Sequence, residues 1–165
     1  MSNNANWTGE RLETFVFNES TIEHLHRYAI ACGLAAGKTV LDIACGEGYG
    51  SYLLAAKAAS VTGMDIDNTT IKKATQKYPK ENLRFTQATA EKIPAADAQF
   101  DMVVSFETLE HLEDHDTMIK EIKRVLKPGG LLVISTPDKK NYSDKRNYKN
   151  PFHLKELYRN EFEAL

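Results

Sequence analysis

Three glycines at alternate positions, Gly46, Gly48 and Gly50, follow an apolar run and precede a segment with helical spacing. Glycine tolerates positive φ and lets a bound group approach the backbone closely. A helix that starts there offers N–H groups and the positive end of its dipole. In an open α/β sheet such a turn lies at the carboxyl end of a strand, where ligands bind. The other reading is a tight turn that needs glycine for geometry alone. A dinucleotide turn wants Gly-x-Gly-x-x-Gly, and the sixth position counted from Gly46 is Ser51. Asp65 stands nineteen residues after Gly46, where a carboxylate can accept from both ribose hydroxyls of a nucleoside. Asp67 is read as a helix N-cap, which leaves Asp65 for the ligand.

A second group is an acidic run, Glu107, Glu110, Glu113, Asp114 and Asp116, with His111 and His115 inside it. Carboxylates with histidines suit several divalent ions. A solvated helix face with caps is the reading taken, so no metal site is expected. His153 stands alone in Asn-Pro-Phe-His, in the expected first turn of the last helix. Cys45 is read as a small packing residue.

These residues need elements to position them. Short apolar runs at residues 39–44, 60–64, 83–86, 102–106 and 131–135 read as buried strands. Their continuous apolar character suggests a parallel sheet covered on both faces. Between them lie helical patterns. Ser20 and Glu23 form a capping box, followed by Ile22, Leu25, Ala29 and Cys32 on one expected face. Leu53, Leu54 and Ala58 mark a second helix after Gly48, and a third runs from Asp67 to before Pro79. Met118, Ile119, Ile122, Val125 and Leu126 mark a fourth, stopping at Pro128-Gly129-Gly130. Leu154, Leu157, Tyr158 and Phe162 mark a last one after Pro151. Residues 138–151 are basic and read as a loop. The alternation predicts one α/β domain, a Rossmann-like open sheet with right-handed crossovers and helices on both faces.

Composition excludes several classes. The formal charge of −2 gives no global field for nucleic acid or anionic lipid. No apolar run approaches the ~18–20 residues of a membrane span. Two cysteines allow neither a disulfide framework nor a four-cysteine zinc site. A reduced cytoplasmic enzyme or binding domain fits.

Residues 40–50, Gly63-Met-Asp-Ile66, residues 88–94, 100–112 and 126–137 together resemble the successive motifs of class I S-adenosylmethionine-dependent methyltransferases of the type 11 kind. The resemblance covers roughly residues 37–137. It implies S-adenosyl-L-methionine as cofactor, S-adenosyl-L-homocysteine as product, and sheet order 3-2-1-4-5. It implies that Asp42 orients the methionine ammonium and that Ala44, Gly46 and Gly48 line the amino-acid portion. Asp65 would hold the ribose and Ile66 would pack on adenine. Thr89, Ala90 and Glu91 would meet the adenine edge, with Thr89 standing where many relatives carry an acidic residue. Ser105 would present its carbonyl to the ammonium. His111 is a candidate general base, or else a surface histidine, and His153 is a second candidate. The subgroup resembles bacterial enzymes of glycan or natural-product methylation, so the acceptor is expected to be a small molecule or glycan, methylated at oxygen. A cofactor-binding partner subunit and a nucleotide-linked oxidoreductase are the alternatives.

Residues 1–36 are read as an N-terminal arm and helix in which Trp7, Phe15, Phe17 and the helix from Ser20 to Cys32 cover the cofactor and line the acceptor pocket, with Tyr28 facing it; the other reading is a helix that simply packs on the sheet. Residues 37–165 are read as the core. The final antiparallel strand pair usual to the resemblance is missing, consistent with a C-terminal truncation. Residues 131–135 are therefore expected as a sheet edge that pairs in a homodimer or is covered by the 138–151 loop.

Overall fold

The five apolar runs pair as one parallel sheet in the order β3-β2-β1-β4-β5. The computed structural model describes residues 19–165, with side chains from Thr21 onward. Trp7, Phe15, Phe17 and the Ser20 cap lie outside the described side chains. The strands are β1 (Thr39–Ile43), β2 (Ser60–Asp65), β3 (Leu83–Gln87), β4 (Phe100–Phe106) and β5 (Leu126–Ser135). The helices are α1 (Glu19–Leu34), α2 (Tyr49–Leu54), α3 (Asn68–Lys77), α4 (His115–Val125) and α5 (Arg159–Phe162).

Alternation along the strands divides the core. Leu41, Ile43 and Val103 face one side with Met118, Ile122 and Val125 of α4. Val40, Met102 and Val104 face the other with Tyr28 and Ala31 of α1, Ala35 just after it, and Leu54 of α2. Both faces of the sheet are thus covered, as continuous apolar strands require. Asp67 caps α3 by accepting from Thr69 N at 2.9 Å, and Asp114 caps α4 by accepting from Thr117 N at 3.0 Å. The α3 chain ends at Lys77, before Pro79, as a proline dictates.

Several local expectations are corrected. The buried face of α1 is Thr21, Tyr28 and Ala31, continued by Ala35 just past its end, whereas Ile22 and Leu25 are exposed. Apolar residues surround this helix, so spacing alone did not select the face. Val125 ends α4, and Leu126 already pairs with Phe100; a register shift then admits Pro128 and Gly129 before Leu131 pairs with Met102. Residues 138–151 contain a single π-helical turn, Lys140–Asp144. The last helix is confined to Arg159–Phe162, so His153 lies in a loop. β5 remains the sheet edge. The bridge beyond it joins Asp138 to Leu157, past the strand's end, so the 138–151 loop does not pair along residues 131–135.

Candidate active site

The carboxyl ends of β1, β2 and β4 bring the predicted residues together. β1 leads into Ala44, Gly46 and Gly48, all with positive φ (55°, 53° and 83°). At Gly46 a Cβ would meet no heavy atom within 4 Å, so its face is open. Gly48 is closed instead: a Cβ there would lie 2.6 Å from the Phe85 ring and 2.9 Å from Ala74. At Gly50 a Cβ would lie 2.0 Å from the Tyr28 ring. Packing within the protein therefore accounts for Gly48 and Gly50, and only Gly46 leaves room beside the backbone.

Asp65, at the end of β2, is not left for a ligand alone. Its Oδ2 accepts from Gly46 N at 3.0 Å and its Oδ1 from Asp67 N at 2.9 Å. The carboxylate thus holds the glycine turn against β2. A carboxylate accepts about four hydrogen bonds, so these two do not exhaust it. Ile66 follows, 63% exposed, an apolar side chain standing beside that carboxylate. The Thr89 turn is tied to the same strand end, with Ala88 N donating to Asp65 O at 3.0 Å and Lys92 N to Thr89 O at 3.1 Å. Thr89 is half-buried, Ala90 buried and Glu91 exposed.

Asp42 lies under the turn with no solvent exposure. Ser51 donates to its Oδ2 at 2.6 Å, and the Tyr28 hydroxyl stands 3.1 Å from its Oδ1. Burial raises the Asp42 carboxyl to about 7, and the two hydroxyls oppose that shift. Tyr28 was expected to face an acceptor pocket. It is instead 5% exposed, edge-on to Tyr49 and Phe106, and burial holds its phenol well above the usual range. Sequence reasoning missed both partners of Asp42. Ser51 was visible only as the residue that broke dinucleotide spacing, and nothing local linked Tyr28 to Asp42.

Beyond β4 the chain turns through Glu107, whose φ of 52° is unusual for a residue with a side chain. Its Oε1 accepts from the Ser135 hydroxyl at 2.7 Å and lies 3.5 Å from the Arg27 guanidinium. A 3₁₀ turn, Leu109–His111, follows. The acidic run is not a uniformly solvated face. Asp114 caps α4 as expected, but Glu110 is 1% exposed and accepts from the Thr136 hydroxyl at 2.8 Å. Burial raises Glu110 to about 7. His111 and His153 come from different segments, yet their rings stand perpendicular with centroids 5.2 Å apart.

Ser105 Oγ, at the end of β4, and Tyr49 OH, at the start of α2, are buried without a hydrogen-bond partner among the described residues. With the open face of Gly46, the Asp65 carboxylate and exposed Ile66, they fit a ligand carrying polar and flat apolar parts at the sheet's carboxyl end.

An open parallel sheet in this order, with a glycine turn at its carboxyl end, is the architecture of nucleotide-cofactor-binding domains. Residues 41–134 match the model of the methyltransferase domain family. The chain belongs to that family, whose methyl donor is S-adenosylmethionine. It is 38% identical over 157 residues to a protein of Mycolicibacterium smegmatis named "Probable S-adenosylmethionine-dependent methyltransferase", covering 91% of this chain and 59% of that protein. It is 37% identical over 116 residues to the ubiquinone biosynthesis O-methyltransferase of Psychrobacter arcticus, covering 67% of this chain and 45% of that enzyme. Among solved structures, the YcgJ protein of Bacillus subtilis superposes with a TM-score of 0.75 at 25% identity, over 86% of this chain and 66% of that one. The chain spans less than two thirds of the length of these curated relatives. Among the described residues no helix is long and apolar enough to cross a membrane.

Proposed function

We propose that this chain catalyses methyl transfer from S-adenosylmethionine to a hydroxyl oxygen of a small-molecule or glycan acceptor. The observation that carries the reading is the convergence of Gly46, Asp65, Ile66 and Ser105 at neighbouring strand ends. Gly46 would admit the amino-acid portion of the cofactor, Asp65 would accept from the ribose and Ile66 would lie against adenine. The buried Ser105 hydroxyl and carbonyl would serve the ammonium, with Asp42 behind. The bound cofactor supplies an already activated methyl group on a sulfonium, so the protein's work is positioning and water exclusion. An oxygen acceptor must also lose a proton. The cluster of Glu110, His111 and His153, beyond the end of β4, is where that proton would leave. The relative from Psychrobacter is named an O-methyltransferase, which favours oxygen.

Calorimetry with S-adenosylmethionine, and with NAD as control, tests the cofactor. Transfer of labelled methyl to a panel of sugars, quinones, lipids and tRNA tests the acceptor. Label on a hydroxylated small molecule or sugar is the expected result. Cofactor binding with no transfer to any of them would refute the proposal in favour of a binding subunit.

A further inference from the structure

Two histidines and one carboxylate meet beyond the carboxyl end of β4, in place of the solvated acidic face expected from the sequence. Glu110, His111 and His153 each offer one ligand atom, and the three atoms lie within 4.8 Å of one another. Glu110 and His111 are neighbours in sequence, whereas His153 arrives after β5 and the π-helical turn.

Both rings are oriented as metal-binding imidazoles are. The Phe152 carbonyl can only accept, so His111 donates to it from Nδ1, at 2.9 Å, and carries its lone pair on Nε2. His153 Nδ1 lies 2.6 Å from Glu156 Oε1, and the Asn150 amide nitrogen, a donor, lies 3.0 Å from Nε2. The lone pair of His153 is therefore on Nε2 as well. A ring held through Nδ1 by a carbonyl or carboxylate, with its lone pair on Nε2, is the outer arrangement found around bound ions. The Thr136 hydroxyl steadies the Glu110 carboxylate. Leu154 N and Lys155 N donate to the Glu110 main-chain oxygen at 2.8 and 3.2 Å, so backbone bonds lock the two segments together before any ion enters.

We propose that Glu110, His111 and His153 bind one divalent first-row transition ion, with Phe152 and Glu156 orienting the two rings. Two imidazoles and one carboxylate suit Mn²⁺, Fe²⁺, Co²⁺, Ni²⁺ or Zn²⁺ better than Mg²⁺ or Ca²⁺. Entry of the ion exchanges the Asn150 contact at His153 Nε2 for a metal bond, and Asn150 keeps its bond to the Tyr142 hydroxyl, at 3.1 Å. Three protein ligands leave positions for an oxygen of the acceptor. The consequence rests on the hydroxyl-methylation reading above. An acceptor hydroxyl meeting the ion gives its proton to water more readily. Methyl transfer then forms the O–CH₃ bond as the S–CH₃ bond breaks, and the sulfonium leaves as a neutral thioether.

The test uses tag-free protein, stripped with a chelator and titrated with Zn²⁺ by calorimetry and with Co²⁺ by visible absorption. One ion per chain is expected. His111→Ala, His153→Ala and Glu110→Gln should each weaken it at least ~100-fold, beyond the ~10–100-fold typical of an orienting residue such as Glu156 in Glu156→Gln. His26→Ala, on the exposed face of α1, should bind as the wild type does. Circular dichroism of the ion-free variants separates lost ligands from lost fold. Absence of a one-to-one ion, or unchanged binding in the folded His111→Ala/His153→Ala double variant, overturns the site. Full methyl transfer by chelated protein overturns the ion's part in the reaction. A bound ion without transfer to any hydroxyl supports the site and overturns the proposed acceptor chemistry instead.

Discussion

Asp65 carries two loads, and a substitution has to separate them. Its carboxylate holds Gly46 N and Asp67 N and is also proposed to take the ribose hydroxyls. Asp65→Ala should weaken cofactor binding by about 2–3 kcal/mol, the scale of bonds to a charged group. The two backbone bonds predict a lowered melting temperature as well. Asp65→Asn keeps one acceptor oxygen and should recover part of the melting loss while binding stays weak. Unchanged calorimetric affinity in Asp65→Asn would remove the ribose role. Asp42 makes a pH prediction. Its carboxyl rises from 3.8 to about 7 on folding because burial disfavours the anion. The folded state then binds more protons than the unfolded state between those values. Stability from this group is complete below about 4 and is lost as pH rises to about 7. Glu110 titrates into the same window, from 4.5 to about 7. Asp42→Asn should therefore flatten the fall of unfolding free energy with pH, measured in urea across that range with chelator present. An unaltered slope would contradict the assignment.

At the scale of elements, the glycine turn separates into positions with different reasons for glycine. Gly46→Ala meets no neighbour but must hold a φ of 53°, at a cost of about 1–2 kcal/mol. It should lower the melting temperature modestly and cofactor affinity strongly, because the added methyl enters the open face. Gly50→Ala drives a methyl into the Tyr28 ring and should destabilise by about 1–3 kcal/mol through α1. Calorimetric affinity and thermal melting on both variants check the contrast; equal losses of affinity and stability in the two would refute it. The last helix shows how a pattern is overruled. Leu154, Leu157, Tyr158 and Phe162 have helical spacing, yet only Arg159–Phe162 is helical. The main-chain oxygen of Glu110 takes Leu154 N and Lys155 N, and the Asn150 side chain takes Phe152 N at 3.0 Å. Those donors are spent on tertiary and turn contacts, so the helix starts late.

At the scale of the molecule, the sheet ends on β5, whose Leu131 is 36% exposed. Its apolar, uncharged stretch at residues 131–135 invites a further strand, and we expect this chain in isolation to associate through it. Sedimentation should show concentration-dependent dimers, and Leu131→Lys should yield monomers; a wild-type monomer at all concentrations would exclude the edge as an interface. The N-terminal arm is proposed to cover the acceptor side. Deleting residues 1–17 should then lower methyl transfer more than melting temperature. Equal loss of both would reduce the arm to packing.

The alternation of apolar runs and helical patterns was enough to specify a parallel sheet with the glycine turn at its carboxyl end, while the strand order came with the family resemblance. Those features follow from local covalent facts: strand burial on both faces, proline stops, side-chain caps and glycine's freedom at positive φ. Gly46 and Asp65 were singled out by residue type and spacing and Ile66 by the resemblance, and the neighbouring ends of β1 and β2 bring the three together. Tertiary structure alone decided the rest. It chose the face of α1, since apolar residues surround that helix and the buried side is the one that brings Ala31 into the core and Tyr28 to Asp42. It turned Glu110 inward and brought His153 to His111, a meeting between residues on opposite sides of β5 in the chain. Spacing describes what a segment can do by itself; it carries no record of which distant side chain will take its hydrogen bonds.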